Sequence, residues 1–106
     1  MRYLRLKKNN QFQRLFKKGK KAYSRYLTVL YVPEKNKTVM GIALSKKHGK
    51  AVKRNRIKRL IRAAFSNNFD RLGGCYSLVI LPKVCEEYSY KDIESSLLTC
   101  FGRMES

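Results

Sequence analysis

Residues 49–65 read GKAVKRNRIKRLIRAAF, and apolar residues recur through them at helical spacing. At roughly 100° per residue, Leu60, Ile61, Ala64, Phe65 and Asn68 fall within about 80° of Ile57 and form one dry face. Lys58, Arg62, Asn55, Arg59 and Arg56 occupy the opposite arc. Seven of the seventeen residues are Lys or Arg and none is acidic. Lys53 and Arg54 break the pattern. They project to the core side in the first turn, where peptide dipoles already make the helix end positive and a carboxylate would be favoured. Residues that break a local rule in this way mark a functional surface, and the sign of the charge asks for an anion.

Working outward, the helix runs to about Asn68 and Gly73-Gly74 ends the segment. Tyr76–Leu81 (YSLVIL) is a short apolar strand, hence central and buried. Ser89 and Asp92 start a last helix with Ile93, Leu97, Leu98 and Phe101 towards the core. Upstream, Thr38–Ser45 is a strand with Gly41 inside it, a place for a bend or a close backbone approach. Residues 33–37 (PEKNK) read as a hairpin loop joining it to Ala22–Val32, a segment long enough to bend or split near Ser24-Arg25. Asn9 or Asn10 caps a short first helix with an apolar stripe of Phe12, Leu15 and Phe16, closed by Gly19. The expected order is α-β-β-α-β-α, or α-β-β-(β)-α-β-α with a further strand. That is an α+β, two-layer α/β sandwich spanning 1–106 as a single domain.

The bulk composition agrees with an anionic partner. The 106 residues carry 25 Lys and Arg against 7 Asp and Glu, a formal charge of +18 and a pI near 10.2. Positions 1–21 hold nine cations and no acid, as do positions 46–62, and no acid occurs between Glu34 and Asp70. Self-repulsion on that scale opposes compactness unless a polyanion is present. Arg grips phosphate oxygens through a planar fork, Lys acts as a point charge, and Asn55 can reach a base edge or a sugar hydroxyl. On the first helix Phe12 and Phe16 stand beside Arg14, Lys17 and Lys18, the mixture of rings and cations that single-stranded nucleic acid uses.

Other classes fit poorly. Cys75, Cys85 and Cys100 form no CxxC pattern, so neither a zinc site nor a disulfide framework is expected, and a reducing, cytoplasmic setting fits. The N-terminal segment has no apolar signal core, and no window approaches membrane-spanning length. A DNA-binding module would want a helix-turn-helix and a dimer seam, and neither is visible. With one histidine there is no two-histidine nuclease site; His48 reads as a phosphate or loop contact. Apart from Glu34, the acids lie at or beyond Asp70 without two-metal spacing. The chain is expected to bind and not to cut, with no catalytic residue and no metal of its own.

The block SKKHGKAVKRNRIKRLIRAAF, residues 45–65, resembles the RNR motif of the bacterial ribonuclease P protein family. The resemblance rests on Lys46-Lys47, Lys50-Ala51-Val52, Arg54-Asn55-Arg56, Lys58-Arg59 and Arg62, with Leu6, Phe12, Phe16, Gly19 and Arg25 upstream. It implies a holoenzyme that removes the 5′ leader of precursor tRNA, with Mg²⁺-dependent chemistry in a catalytic RNA that holds the ion. Arg54, Asn55, Lys58, Arg59 and Arg62 would contact that RNA, with Lys46, Lys47, Lys50, Lys53 and Arg56 in the same set. A cleft between the first helix and the sheet would hold the leader against Phe12 and Phe16, with Arg14, Lys17 and Leu30 nearby. The implied fold is ribosomal protein S5 domain 2-like, with a left-handed β-α-β crossover against the usual rule. Three features depart from the family pattern: Ala63 replaces a frequent acid, Leu30 a sometimes aromatic residue, and no basic tail follows the last helix. A ribosomal or other structural RNA-binding protein is the alternative that charge and fold permit; the extended RNR block discriminates against it.

Overall fold

A computed structural model describes residues 3–104, so both ends of the expected 1–106 domain, residues 1–2 and 105–106, lie outside the described residues. The elements are β1 (Leu4–Arg5), α1 (Asn9–Lys18), β2 (Lys20–Tyr23), β3 (Leu27–Glu34), β4 (Val39–Ile42), α2 (Ala51–Asn67), β5 (Cys75–Pro82) and α3 (Tyr90–Arg103). Short 3₁₀ turns at Lys46–His48 and Phe69–Leu72 flank α2.

The five strands form one mixed sheet in the order β1-β4-β5-β3-β2. β5 is central, as its unbroken apolar run demands, pairing parallel to β4 and antiparallel to β3. Its insertion corrects the expected hairpin at 33–37: β3 and β4 are not neighbours, and that connection crosses the start of β5 at Cys75 instead. The hairpin lies earlier. The Ala22–Val32 segment splits as its length allows, and β2 folds back antiparallel on β3. The turn is tied by the Ser24 hydroxyl, which donates to the Leu27 carbonyl at 2.8 Å, while the Ser24 amide donates to the same oxygen at 2.9 Å. The two-residue β1, which carries no sequence signal of its own, pairs parallel to β4.

Period-two alternation gives both sheet faces an apolar lining. Leu27, Val29 and Tyr31 of β3, with Tyr76, Leu78 and Ile80 of β5, face the main core with α2 and α3. Ile57, Ile61, Ala64 and Phe65 of α2 fill it, together with Ile93, Leu97 and Phe101 of α3. Phe65 meets Tyr3 edge-on at 4.8 Å and Phe101 at 5.9 Å. Leu30, Val79 and Leu81 point to the other face, where α1 seats Leu15 and part of Phe12. The body is thus a sheet layered with α2 and α3, and α1 lies across the opposite side.

Two expectations about α1 shift. Its N-cap is Lys8 rather than an Asn, and Gln11 Oε1 accepts from the Lys8 amide at 3.3 Å. Its apolar stripe is unequal: Leu15 is buried, Phe12 is partly covered and Phe16 is 49% exposed. Gly41 explains where Phe12 sits. A Cβ there would lie 2.8 Å from Leu6 Cβ and 3.0 Å from Phe12 Cζ, so the missing side chain lets both pack onto β4.

Candidate nucleic-acid interface

The basic helix α2 follows β4 through a tight connection. Ser45 opens the Lys46–His48 turn, its hydroxyl accepting from the Lys47 amide at 3.3 Å. Gly49 then takes φ 106°, a conformation that L side chains rarely adopt. Lys46, Lys47 and Lys50 are exposed along this connection. Lys50 is the N-cap and makes no side-chain capping bond, and the first turn of α2 holds no acid. Every usual stabiliser of a helix start is missing, and cations stand in its place.

The cations of α2 divide between two flanks. On one, a hollow of about 370 Å³ is lined by Phe12, Leu44, Arg54, Asn55 and Lys58. It shares Phe12, Ile42 and Lys58 with a second hollow of about 270 Å³, to which Arg5, Lys7 and Arg62 contribute. The Arg54 Nε is buried without a hydrogen-bond partner among the described residues. A buried donor left open in this way suits an oxygen supplied by a partner. On the other flank, about 540 Å³ is bounded by Lys50, Lys53, Arg56, Val52 and Tyr88, with Glu86 and Glu87 opposite. Lys53 Nζ donates to the Cys85 carbonyl at 3.3 Å. The two rule-breaking residues of the first turn therefore straddle the helix: Arg54 toward the Phe12 hollow, Lys53 across to the β5–α3 connection. Asn55, Arg56 and Arg59 are exposed.

A third hollow, about 350 Å³, lies between the end of α1 and the sheet. Phe16 stands over it, Leu30 and Leu81 line it, and Lys21, Tyr23 and Lys83 complete its walls. Leu30, 3% exposed, forms floor rather than a reachable platform. The sequence-predicted cleft set thus does not converge as a unit. Phe12 lines the α2 hollows and Phe16 this one. Arg14 is drawn to Glu34, 3.7 Å away, and Lys17 lies exposed in the last turn of α1, where a cation suits the helix dipole. Sequence reasoning missed Arg5, Lys7, Lys21, Tyr23 and Lys83. For Lys21 and Tyr23 the alternation around buried Ala22 was the available signal; Lys83 gives none, because only the fold brings it to α1.

His48 is 7% exposed and belongs to the loop rather than to a phosphate. The Ser45 amide donates to its Nδ1 at 3.1 Å, so the ring proton sits on Nε2, which donates to the Pro82 carbonyl at 2.6 Å. Beyond Pro82, the Tyr88 hydroxyl donates to the Lys83 carbonyl and accepts from the Cys85 amide at 3.2 Å. Burial, with the Cys85 side chain second, pushes that hydroxyl up to about 12. Burial likewise raises the Cys100 thiol, which packs beside Ser24. Among the described residues no group of three His, Cys, Asp or Glu side chains could hold a metal. No described helix is long and apolar enough to cross a membrane.

The family model for ribonuclease P matches residues 1–105. The chain belongs to the ribonuclease P protein family. Over 96 residues it is 38% identical to the ribonuclease P protein component of Finegoldia magna, covering 90% of this chain and 85% of that protein. Against a Bacillus cereus ribonuclease P protein component the identity is 37% over 102 residues, covering 93% and 89%. The fold superposes on the ribonuclease P protein of Thermotoga maritima with a TM-score of 0.86 at 28% identity, over 96% of this chain and 98% of that one. The Staphylococcus aureus ribonuclease P protein gives 0.76 at 28% identity, over 93% of each. Membership settles the choice against a ribosomal or other structural RNA-binding protein. As the protein component of ribonuclease P, the chain is a non-catalytic subunit that binds the catalytic RNA and the precursor tRNA leader for 5′ maturation.

Proposed function

We propose that the chain, as one RNA-binding domain over 1–106, divides its two RNA partners between separate surfaces. The cationic surface of α2 and its N-terminal connection engages the catalytic RNA: Lys46, Lys47, Lys50, Arg54, Asn55, Arg56, Lys58, Arg59 and Arg62. Phosphate oxygens there satisfy the open Arg54 Nε, and Arg5 and Lys7 extend the surface past Phe12. Lys53 contributes charge, with its ammonium anchored on the Cys85 carbonyl. The leader lies in the hollow under Phe16, between Lys21 and Lys83. One observation carries this reading: a large aromatic ring is left 49% exposed above a concave wall with cations on its rim. Bases stack on such a ring and phosphates follow the cations without sequence readout.

The cleavage chemistry belongs to the RNA, with Mg²⁺ held mainly by RNA in a cytoplasmic holoenzyme; the protein orients and holds the leader and moves no proton. Phe16→Ala tests the assignment. Because Phe16 is half exposed, truncation is expected to cost little stability and to weaken precursor tRNA binding by about 1–3 kcal/mol, leaving mature tRNA unaffected. Equal losses for both ligands, or a melting temperature lowered as for a core residue, would return Phe16 to a packing role.

A further inference from the structure

The leader hollow and the catalytic-RNA surface lie on different elements, yet one side chain joins them. His48 stands in the connection that carries Lys46, Lys47 and Lys50, and its Nε2 donates to Pro82, a wall residue of the leader hollow. The adjacent Lys83 is fixed in turn. Its amide donates to the Tyr26 carbonyl at 2.8 Å and its ammonium to the Ser24 carbonyl at 2.7 Å. The end of β5 is therefore held between the β2–β3 turn and the basic connection. On the basic side, the ring accepts from the Ser45 amide and donates to Pro82, so it carries the link between the two backbones beyond the bond of the Ala43 amide to the Ile80 carbonyl at 3.1 Å. Positive φ at Gly49 turns the chain directly afterwards into α2. A shift of the Lys46–Lys50 connection on RNA binding would thus pull on the Pro82-Lys83 wall.

We infer that His48 is a positioning residue, which sets the wall of the leader hollow through Pro82 and couples leader binding to engagement of the catalytic RNA by the basic connection. The inference rests on the leader assignment above. Coupling of this kind is reciprocal, because each partner is favoured by the wall position that the other stabilises.

The test uses the reconstituted holoenzyme and reads the ratio of affinities for precursor and mature tRNA, from which the amount of active protein cancels. Three variants are compared with the native chain: His48→Leu, which keeps apolar volume and loses both hydrogen bonds; His48→Gln, whose amide can still donate to Pro82; and Phe16→Ala. His48→Leu is expected to reduce the precursor-to-mature preference about fivefold or more. His48→Gln should restore it to within about twofold, since one donor is retained. A native preference in His48→Leu, whatever its melting temperature, overturns the inference, as does a His48→Gln chain equally deficient. Should Phe16→Ala also keep the native preference, the leader assignment falls and the inference with it. A loss in Phe16→Ala beside an intact His48→Leu sinks the inference alone.

Discussion

The Tyr88 hydroxyl shows how one side chain ties stability to solution conditions. Burial, with the Cys85 side chain second, favours the neutral form and outweighs the Cys85 amide, which donates to the hydroxyl and favours the anion, so its ionisation is raised from the usual 10.0 to about 12. A raised value in the folded state means stability that is complete below about pH 10 and lost as pH climbs towards 12. The native chain should therefore lose its advantage over Tyr88→Phe across that window, measured as the difference in unfolding free energy. A constant difference would place the hydroxyl outside the fold's hydrogen bonding. Gly41 makes the opposite kind of demand, since its missing Cβ leaves space for Leu6 and Phe12. Gly41→Ala should destabilise by about 1–3 kcal/mol through overpacking, read by denaturant unfolding. At this scale the sequence was legible where one element decides. Helical arithmetic placed Ile57, Ile61, Ala64 and Phe65 in the core, and Asn55, Arg56 and Arg59 in solvent. It could not separate Phe12 from Phe16, because their difference comes from Gly41 of β4, against which Phe12 packs.

The start of α2 is the element in which stability and function pull apart. Its N-cap is Lys50, its first turn lacks an acid, and Val52 stands 83% exposed there. Lys50→Asp should stabilise the chain by about 0.5–2 kcal/mol through a proper cap, and Val52→Glu by about 0.3–1 kcal/mol through the dipole. Both should weaken binding of the catalytic RNA, so melting temperature and affinity should move in opposite senses. Improvement in both would show that this end never meets RNA. The outward face gives a second test. Arg59→Ala and Arg62→Ala should fold normally and lower the slope of log affinity against log salt by about one or less for each phosphate no longer neutralised. The helices and the central place of β5 were readable from periodicity and apolar runs. The break near Ser24-Arg25 was readable too, but not that it forms the hairpin, because Pro33 and the residues after it look like a turn in any topology. What moved it to Ser24–Tyr26 was β5, whose two free edges needed β3 and β4 as separate partners.

Across the whole molecule, +18 is distributed over a body whose cores lie on both faces of a single sheet. Charge of this size is tolerable because it is spread over α1, the basic connection and α2, and it becomes favourable once a polyanion covers it. Composition alone announces a polyanionic partner but not the two separate surfaces proposed above. Those arise from long-range packing that sets Lys21 and Lys83 opposite Phe16, and Arg5 and Lys7 beside Arg62. The chain offers cations, rings and shape, and among its described residues no group of three His, Cys, Asp or Glu side chains could hold a metal. The most direct test is cleavage of precursor tRNA by protein alone, by a bacterial ribonuclease P RNA alone, and by the two together, over a range of Mg²⁺. The protein alone should leave the substrate intact, and the RNA alone should cleave only at elevated Mg²⁺. Together they should release the leader at the mature 5′ end near physiological Mg²⁺. Specific cleavage by the RNA-free protein, or an RNA whose Mg²⁺ requirement the protein leaves unchanged, would contradict the assignment of this chain as the binding subunit.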